Sequence, residues 1–186
     1  LQAETAGVNA NDLTDQRTVK IEELSELMDI TILSGSNGQT TILSSSGNLL
    51  VSENLSWDLT VSADTAGDGF YTINYSDGKT AVDITDSISG GALRGLIEIR
   101  DEIIPAYSEQ LDELAAAVIT EVNQIHYAGY GLDDSSGNNF FTPCAATTGA
   151  AKTMSMSLSD TDKIAAGQST ETGDNSNALA LAELKD

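Results

Sequence analysis

His126 is the one histidine among 186 residues, and it is the first side chain to test for catalysis or metal binding. It lies near the end of a helical pattern in the segment NQIHYAGY, and Cys144 is the one cysteine of the chain. A zinc site needs several such ligands at short spacing, and a Ser-His-Asp triad needs a nucleophile motif that this sequence lacks. The sequence therefore predicts no metal site and no catalytic residue, and it favours a packing or helix-capping role for His126.

Two further segments have the residue types of ligand sites. GGALRG, at residues 90–95, has the glycines of a phosphate-binding loop but lacks the Lys-Ser/Thr pair that completes such a loop. Asp64 and Asp68 begin a calcium-like loop, but Ala66 stands at a ligand position and Tyr75 stands where the last glutamate is needed. We interpret the double glycine of the first segment as a flexible exit from the β-prone region into the helix and the second segment as an ordinary turn, and we expect no bound cofactor.

The charge balance excludes other classes of partner. The chain has 29 acidic and 8 basic side chains, which gives a net charge of −21. Such a surface repels phosphate groups, so binding to nucleic acid or to a membrane surface by charge attraction is not expected. An apolar content of 40% is enough for a core, and no apolar run approaches the roughly 20 residues of a membrane helix. Because the chain opens at Leu1 without methionine, we expect a fragment of a longer protein.

Three segments of the chain have distinct secondary-structure patterns, and these would position His126 and the other candidate residues. Between Asn11 and Met28, apolar residues recur mostly on one face, which predicts an amphipathic helix. From 30 to 89, about six short β-prone runs alternate with turn sequences, which predicts an antiparallel meander or a small sandwich. From 93 to 127 the chain has its longest helical pattern; Pro105 either bends or breaks that helix, or lies in the first turn of a second segment.

An apolar stripe runs along the long helical pattern with a period of seven residues. This stripe is the intrachain core of a helical bundle, or a packing surface between subunits, or both. Farther along the chain, residues 152–159 alternate like a strand, and residues 159–167 and 173–186 each predict a short helix. The stripe consists of Ile97, Ile104, Leu111, Val118 and Ile125.

Strand and helix patterns are segregated along the chain, which predicts the α+β class. The predicted domains are a discontinuous α-rich domain, residues 1–29 with 90–186, and an inserted antiparallel β domain, residues 30–89.

The order of several motifs resembles one protein family. A double glycine comes first, then an Arg-Asp pair, an Asn-x-x-His at the end of the long helix and a pair of phenylalanines. This order is similar to the signature of the first hook-associated protein of the bacterial flagellum. The upstream NDLTDQR and the downstream GDNSNALALAEL resemble the flanking helices of that family. The matching positions are Arg17, Gly90, Gly91, Arg100, Asp101, Pro105, Asn123, His126, Phe140 and Phe141.

The resemblance implies a structural protein without catalysis. Its fold would be an elongated, flagellin-like helical shaft with coiled-coil packing, from which the β module faces outward. The family forms the junction ring between hook and filament, and the flagellar type III apparatus exports it from the cell. The implied partners are neighbouring copies, the hook protein and other hook-associated proteins, together with an export chaperone that binds through a C-terminal region missing here. Without the terminal segments, we expect the fragment to be a monomer.

Two alternatives stay open. Another axial flagellar protein, such as the third hook-associated protein or a flagellin, shares the shaft but less of the motif order. A secreted carbohydrate-binding or adhesive module is an alternative from a different class. For that role the sequence offers only a sparse stacking platform, made of Trp57, Tyr71 and Tyr75.

Overall fold

The structure, a computed structural model, describes residues 11–35, 38–63 and 69–184. Its contacts divide the chain into two compact units, Leu1–Glu102 and Ile103–Asp186. The first unit combines helices with two antiparallel sheets, whereas the described part of the second consists of helices and loops with isolated bridges. The predicted α+β class is confirmed.

Two helices of the first unit meet at a glycine. Helix α1 spans Asn11–Leu27 and helix α2 spans Gly91–Glu98, and a π-helical turn, Ile99–Ile103, follows α2. Gly91 has a φ of +75°, and a Cβ there would lie 2.6 Å from the Leu27 carbonyl group. Only glycine tolerates both the left-handed backbone and this close approach, so Gly91 brings the start of α2 against the end of α1.

In the part of the chain that the structure describes, seven short strands form two antiparallel meanders between these helices, as the β-prone runs and their glycine-containing turns predict. The first sheet has the order β1-β2-β3-β4 and the second has the order β5-β6-β7. A short 3₁₀ turn, Thr85–Ser87, follows the last strand. The strands are β1 Ile30–Ser34, β2 Thr40–Ser44, β3 Leu49–Ser52, β4 Leu55–Ser56, β5 Asp58–Ala63, β6 Tyr71–Ser76 and β7 Ala81–Asp83.

The helices and sheets of the first unit share one core. Met28, at the end of α1, is 1% exposed and packs with Ile42 and Leu50 of the first sheet and with Ile97 of α2. The β segments and their flanking helices thus belong to one compact unit that ends at Glu102, which differs from the predicted domain boundaries. The discontinuous shaft domain stays a prediction.

The second unit is built on one long helix. Helix α3 spans Ile104–Ala128, with Pro105 in its first turn, and it directly follows the π-helical turn Ile99–Ile103. Pro105 thus lies in the first turn of a second α-helical segment, and the π-helical turn just before it interrupts the regular α pattern, since proline has no N–H to donate to the preceding turn. The remaining elements are α4 Ala150–Thr153, a 3₁₀ turn Thr161–Lys163 and α5 Ser176–Glu183. The helix predicted at residues 173–186 is confirmed, whereas the one predicted at residues 159–167 is reduced to the 3₁₀ turn of three residues.

The predicted strand at residues 152–159 is wrong. Helix α4 covers its start, and only Met156 forms a β-bridge, with Phe141. Alternation of apolar residues makes a strand only where a neighbouring strand supplies hydrogen bonds, and this segment has one bridge instead of a ladder. The calcium-like segment at Asp64 and Asp68 lies outside the described residues. Within the part that is described, none of the helices has both the length and the apolar character of a membrane span.

Candidate functional site

His126 is completely buried on the inner face of α3. Its Nε2 accepts a hydrogen bond from the Ala165 N–H at 2.9 Å, so the ring proton lies on Nδ1, which donates to the Asn138 carbonyl at 2.8 Å. The ring also meets Phe140 edge-on, with centroids 5.4 Å apart. His126 therefore joins the helix to two loop segments. Of the two roles predicted for it, these contacts favour packing over capping of the last carbonyls.

Asn123 lies one turn before His126 on the same face and is 8% exposed. Its side-chain amide pairs with both backbone groups of Phe141: Nδ2 donates to the carbonyl at 2.9 Å, and Oδ1 accepts from the N–H at 2.8 Å. This amide takes the place of a neighbouring strand for Phe141. The rings of Phe140 and Phe141 meet edge to face with centroids 4.9 Å apart. The structure thus brings together four residues that the resemblance singled out.

Asn177 belongs to the same cluster; it lies in the segment GDNSNALALAEL, but the sequence did not single it out as a site residue. Its side chain is buried, and its Nδ2 donates to the Ala165 carbonyl at 2.7 Å. Ala165 is therefore held through its N–H by His126 and through its carbonyl by Asn177. Gly129 allows this approach, because a Cβ there would overlap the Asn177 side chain. We call this cluster the polar clamp; it consists of the side chains of Asn123, His126 and Asn177 and the backbone of Asn138, Phe141 and Ala165.

Asp112 is a second buried polar residue of α3 that the sequence did not indicate. It is 9% exposed, and its two carboxylate oxygens accept from the Gly149 N–H at 2.6 Å and the Ala151 N–H at 2.9 Å. The carboxylate therefore holds the start of α4, where free N–H groups carry partial positive charge. Helical periodicity could not single it out among 29 acids, because its partners lie 37 and 39 residues farther along the chain.

A second face of α3 is apolar and exposed. At 100° per residue it adjoins the face that carries the polar clamp. None of its five side chains is charged, although the chain is rich in acids. We call it the open face; its residues and exposed fractions are Ile104 58%, Tyr107 63%, Leu111 59%, Leu114 62% and Val118 37%.

The seven-residue stripe is therefore not the core of the second unit. Ile104, Leu111 and Val118 lie on the open face, Ile125 is half-buried, and Ile97 is buried in the core of the first unit instead. The intrachain-core hypothesis is wrong for the three exposed residues. Packing between subunits stays a prediction. The residues of α3 that are buried are Asp112, Ala115, Ile119, Asn123 and His126.

The motif residues of the first unit connect helices to sheets. Arg100 forms a bidentate ion pair with Asp101, at 2.6 and 2.7 Å, and donates from Nη1 to the Tyr71 carbonyl of β6 at 2.7 Å. The hydrogen bonds from Arg100 lower the pKa of Asp101. Arg17 of α1 donates from Nη1 to the Gly38 carbonyl at 3.0 Å. Both arginines bond to backbone carbonyls of the β segments, so their contacts favour an architectural role.

The described residues contain no group of three His, Cys, Asp or Glu side chains placed to hold a metal ion. A groove of about 370 Å³ runs beside α3, and Ile119, Asn123 and Cys144 are among the residues that line it. Its buried polar side chain, Asn123, already pairs with Phe141. This buried side chain is thus engaged in packing the chain.

Asp174 fixes the segment that leads into α5. Its carboxylate accepts hydrogen bonds from the hydroxyl and the N–H of Ser176, and from the N–H groups of Gln168 and Ser169 at 3.0 and 2.9 Å. The bond from the Ser176 hydroxyl, with the others, holds the pKa of Asp174 well below its usual range.

We expect Asp174→Asn to destabilise the second unit at neutral pH and to have little effect in strong acid. Because the native pKa is lowered, the ionised carboxylate stabilises the fold above the unfolded pKa of 3.8, and this stabilisation is lost as the pH falls through the native pKa. Denaturant unfolding of the wild-type chain and the variant, at neutral pH and in strong acid, measures the difference in unfolding free energy. Glu171→Gln, at an exposed residue of the same loop, controls for the charge change. A destabilisation that persists unchanged in strong acid would contradict the assignment.

Comparisons with known family models, sequences and structures all point to the same protein family. Residues 1–141 match the family model described as the flagellar hook-associated protein FlgK helical domain. A solved structure, that of the flagellar hook junction protein FlgK from Burkholderia pseudomallei, is similar with a TM-score of 0.56 and 24% identity, over 76% of this chain and 26% of that one. At this identity the structural match supports the fold.

Two curated relatives have the same name. Flagellar hook-associated protein 1 of Escherichia coli K12 is 26% identical over 138 residues, which is 73% of this chain and 25% of the relative. Flagellar hook-associated protein 1 of Bacillus subtilis 168 is 24% identical over an alignment of 214 residues, which is 98% of this chain and 42% of the relative. The chain thus spans between a quarter and a half of the length of these relatives.

Proposed function

The chain belongs to the family of the flagellar hook-associated protein FlgK, and we propose that it is part of a structural, non-catalytic subunit of the junction between flagellar hook and filament. The family model covers 141 of the 186 residues, and it includes the ten motif positions from Arg17 to Phe141, whereas the downstream segment GDNSNALALAEL lies beyond it. Both curated relatives have the name of the first hook-associated protein, which favours this role over that of another axial protein.

The observation that carries the proposal is the open face of α3. One side of the helix is occupied by the polar clamp and Asp112, whereas the adjoining side presents five uncharged, largely apolar side chains to solvent. A row of exposed apolar residues on a rigid helix is typical of a surface that packs against other helices. In a tubular assembly, those helices would belong to neighbouring copies or to adjacent axial proteins.

Partners and location follow from this role as parts of the same proposal. The partners are neighbouring copies in the junction ring, the hook protein and other hook-associated proteins. The protein acts outside the cell, after export by the flagellar apparatus. Residues 1–29 and 90–186 contribute to the shaft, and the β segments between them face outward. The acidic composition suits a solvated exterior, because a net charge far from zero keeps a protein soluble.

Genetic complementation tests the function. The whole protein that contains this sequence is expressed in a motile strain that lacks its own hook-associated protein 1. We expect filaments to attach to hooks again and swimming in soft agar to recover. Electron microscopy of hooks gives the decisive observation. Detection of the protein in the medium without attached filaments would show export without junction function and would contradict the proposal.

A further inference from the structure

The charges of the chain are absent from one continuous segment. Residues 30–52 contain no acidic and no basic side chain, although the chain as a whole is 20% charged with a net charge of −21. These residues form β1, β2 and β3, with their turns. Most of the first sheet is therefore neutral, in a molecule whose copies otherwise repel each other.

Strand β1 is an open edge of this neutral sheet, because within the described ranges β2 is the one strand that pairs with it. The Gly35 N–H donates to the Gln39 carbonyl at 2.8 Å in the turn after β1. Since hydrogen-bonded pairs alternate along an antiparallel ladder, the odd-numbered residues of β1 direct their backbone N–H and C=O groups toward β2. Ile30, Ile32 and Ser34 consequently direct their backbone N–H and C=O groups away from the sheet. Among the described residues, no hydrogen-bond partner for these outward groups is found.

The usual protections of an edge strand are missing from β1. Its sequence ITILS has no lysine, no proline and no charge, and its register with β2 is unbroken. Ile32 and Leu33, which point to opposite faces, are 46% and 53% exposed. The other edge strands differ, because β5 and β7 each contain an aspartate and β4 has only two residues. Strand β1 is therefore the edge best suited to accept a further strand.

We propose that the open edge of β1 pairs, antiparallel, with β1 of a second copy of this chain. Pairing of identical strands about a two-fold axis is self-complementary and satisfies the outward backbone groups of both copies. The charge distribution selects a second copy as the occupant: two chains of −21 approach with least repulsion where both are neutral. The contact is small, so the chain is a monomer at micromolar concentration and dimerises at several hundred micromolar.

Salt dependence distinguishes this contact from attraction between opposite charges. Added NaCl screens the repulsion between two acidic copies, so the dimer fraction should rise with NaCl. Sedimentation velocity of the 186-residue chain, over a range of protein and NaCl concentrations, measures it. Ile32→Lys places a charge at the edge and should weaken dimerisation at least tenfold. Its matched control is Val61→Lys, at a residue of β5 that is 67% exposed, and it should leave the dimer intact.

Each outcome decides the proposal. Circular dichroism first establishes that both variants are folded. Loss of the dimer in Ile32→Lys alone, with a dimer fraction that rises with NaCl, supports pairing through β1. A monomer at every concentration, an equal loss in Val61→Lys, or a dimer that weakens with NaCl would overturn it. None of these measurements depends on flagellar assembly, so the inference stands or falls separately from the proposed function.

Discussion

Replacing His126 with alanine is expected to lower the unfolding free energy of the second unit by about 4 kcal/mol. The imidazole is fully buried and joins α3 to two segments that follow it, through Asn138 and Ala165. Alanine leaves the buried Ala165 N–H and the partly buried Asn138 carbonyl without a partner, at up to about 1–3 kcal/mol each, and it also leaves a cavity beside Phe140. The sum is larger than for most single substitutions.

Amide hydrogen exchange shows which segments of the second unit lose stability in His126→Ala. The N–H groups of Phe141 and Ala178 bond to Asn123 and to the Ala166 carbonyl, so neither is a direct partner of His126. Their protection should nevertheless fall, because the segments on which they lie are anchored through the imidazole. Gln124→Ala, at an exposed residue of the same helix, should change stability by less than about 0.5 kcal/mol. A loss below about 1 kcal/mol in His126→Ala would mean that the polar clamp does not hold the unit together.

The fold class and the order of elements could be predicted from the sequence, because local patterns determine both. The β-prone runs end at turns with a left-handed glycine, such as Gly47 and Gly78, and the structure has a strand on each side of these turns. The strand predicted at residues 152–159 failed for a non-local reason. Asp112, far upstream, holds the start of α4, and no neighbouring strand pairs along that segment beyond the bridge at Met156.

The face that α3 buries could not be predicted from its periodicity. Two stripes run along the helix, and the heptad stripe through Leu111 and Val118 is the more apolar. The structure buries the other, which includes Asp112, Asn123 and His126. Burial of these polar groups is favourable only because later loops supply hydrogen-bond partners, and helical spacing contains no information about those loops. The resemblance identified Asn123 and His126, but their partners became visible only in the fold.

Because Leu111 of the seven-residue stripe is exposed, one substitution there can test assembly without disturbing the fold. Leu111→Glu should abolish filament attachment while it leaves the chain folded. Leu111 is 59% exposed, and glutamate is a good helix former, so the unfolding free energy should change by less than about 0.5 kcal/mol. In an assembly that covers the open face, the same carboxylate would be buried without a partner, at a cost of several kcal/mol per contact. A loss of this size at every subunit prevents a stable ring.

The matched control is Gln124→Glu, which adds the same charge to an exposed residue on the polar side of α3. The whole protein is expressed with each substitution in a strain that lacks its own hook-associated protein 1. Filament attachment is counted by electron microscopy, and thermal unfolding of the purified 186-residue chain verifies the fold of each variant. Normal filaments with Leu111→Glu would show that the open face does not mediate packing, whatever holds the junction together. Loss of attachment in both variants would attribute the defect to added charge, and only a selective loss assigns the subunit contact to the open face.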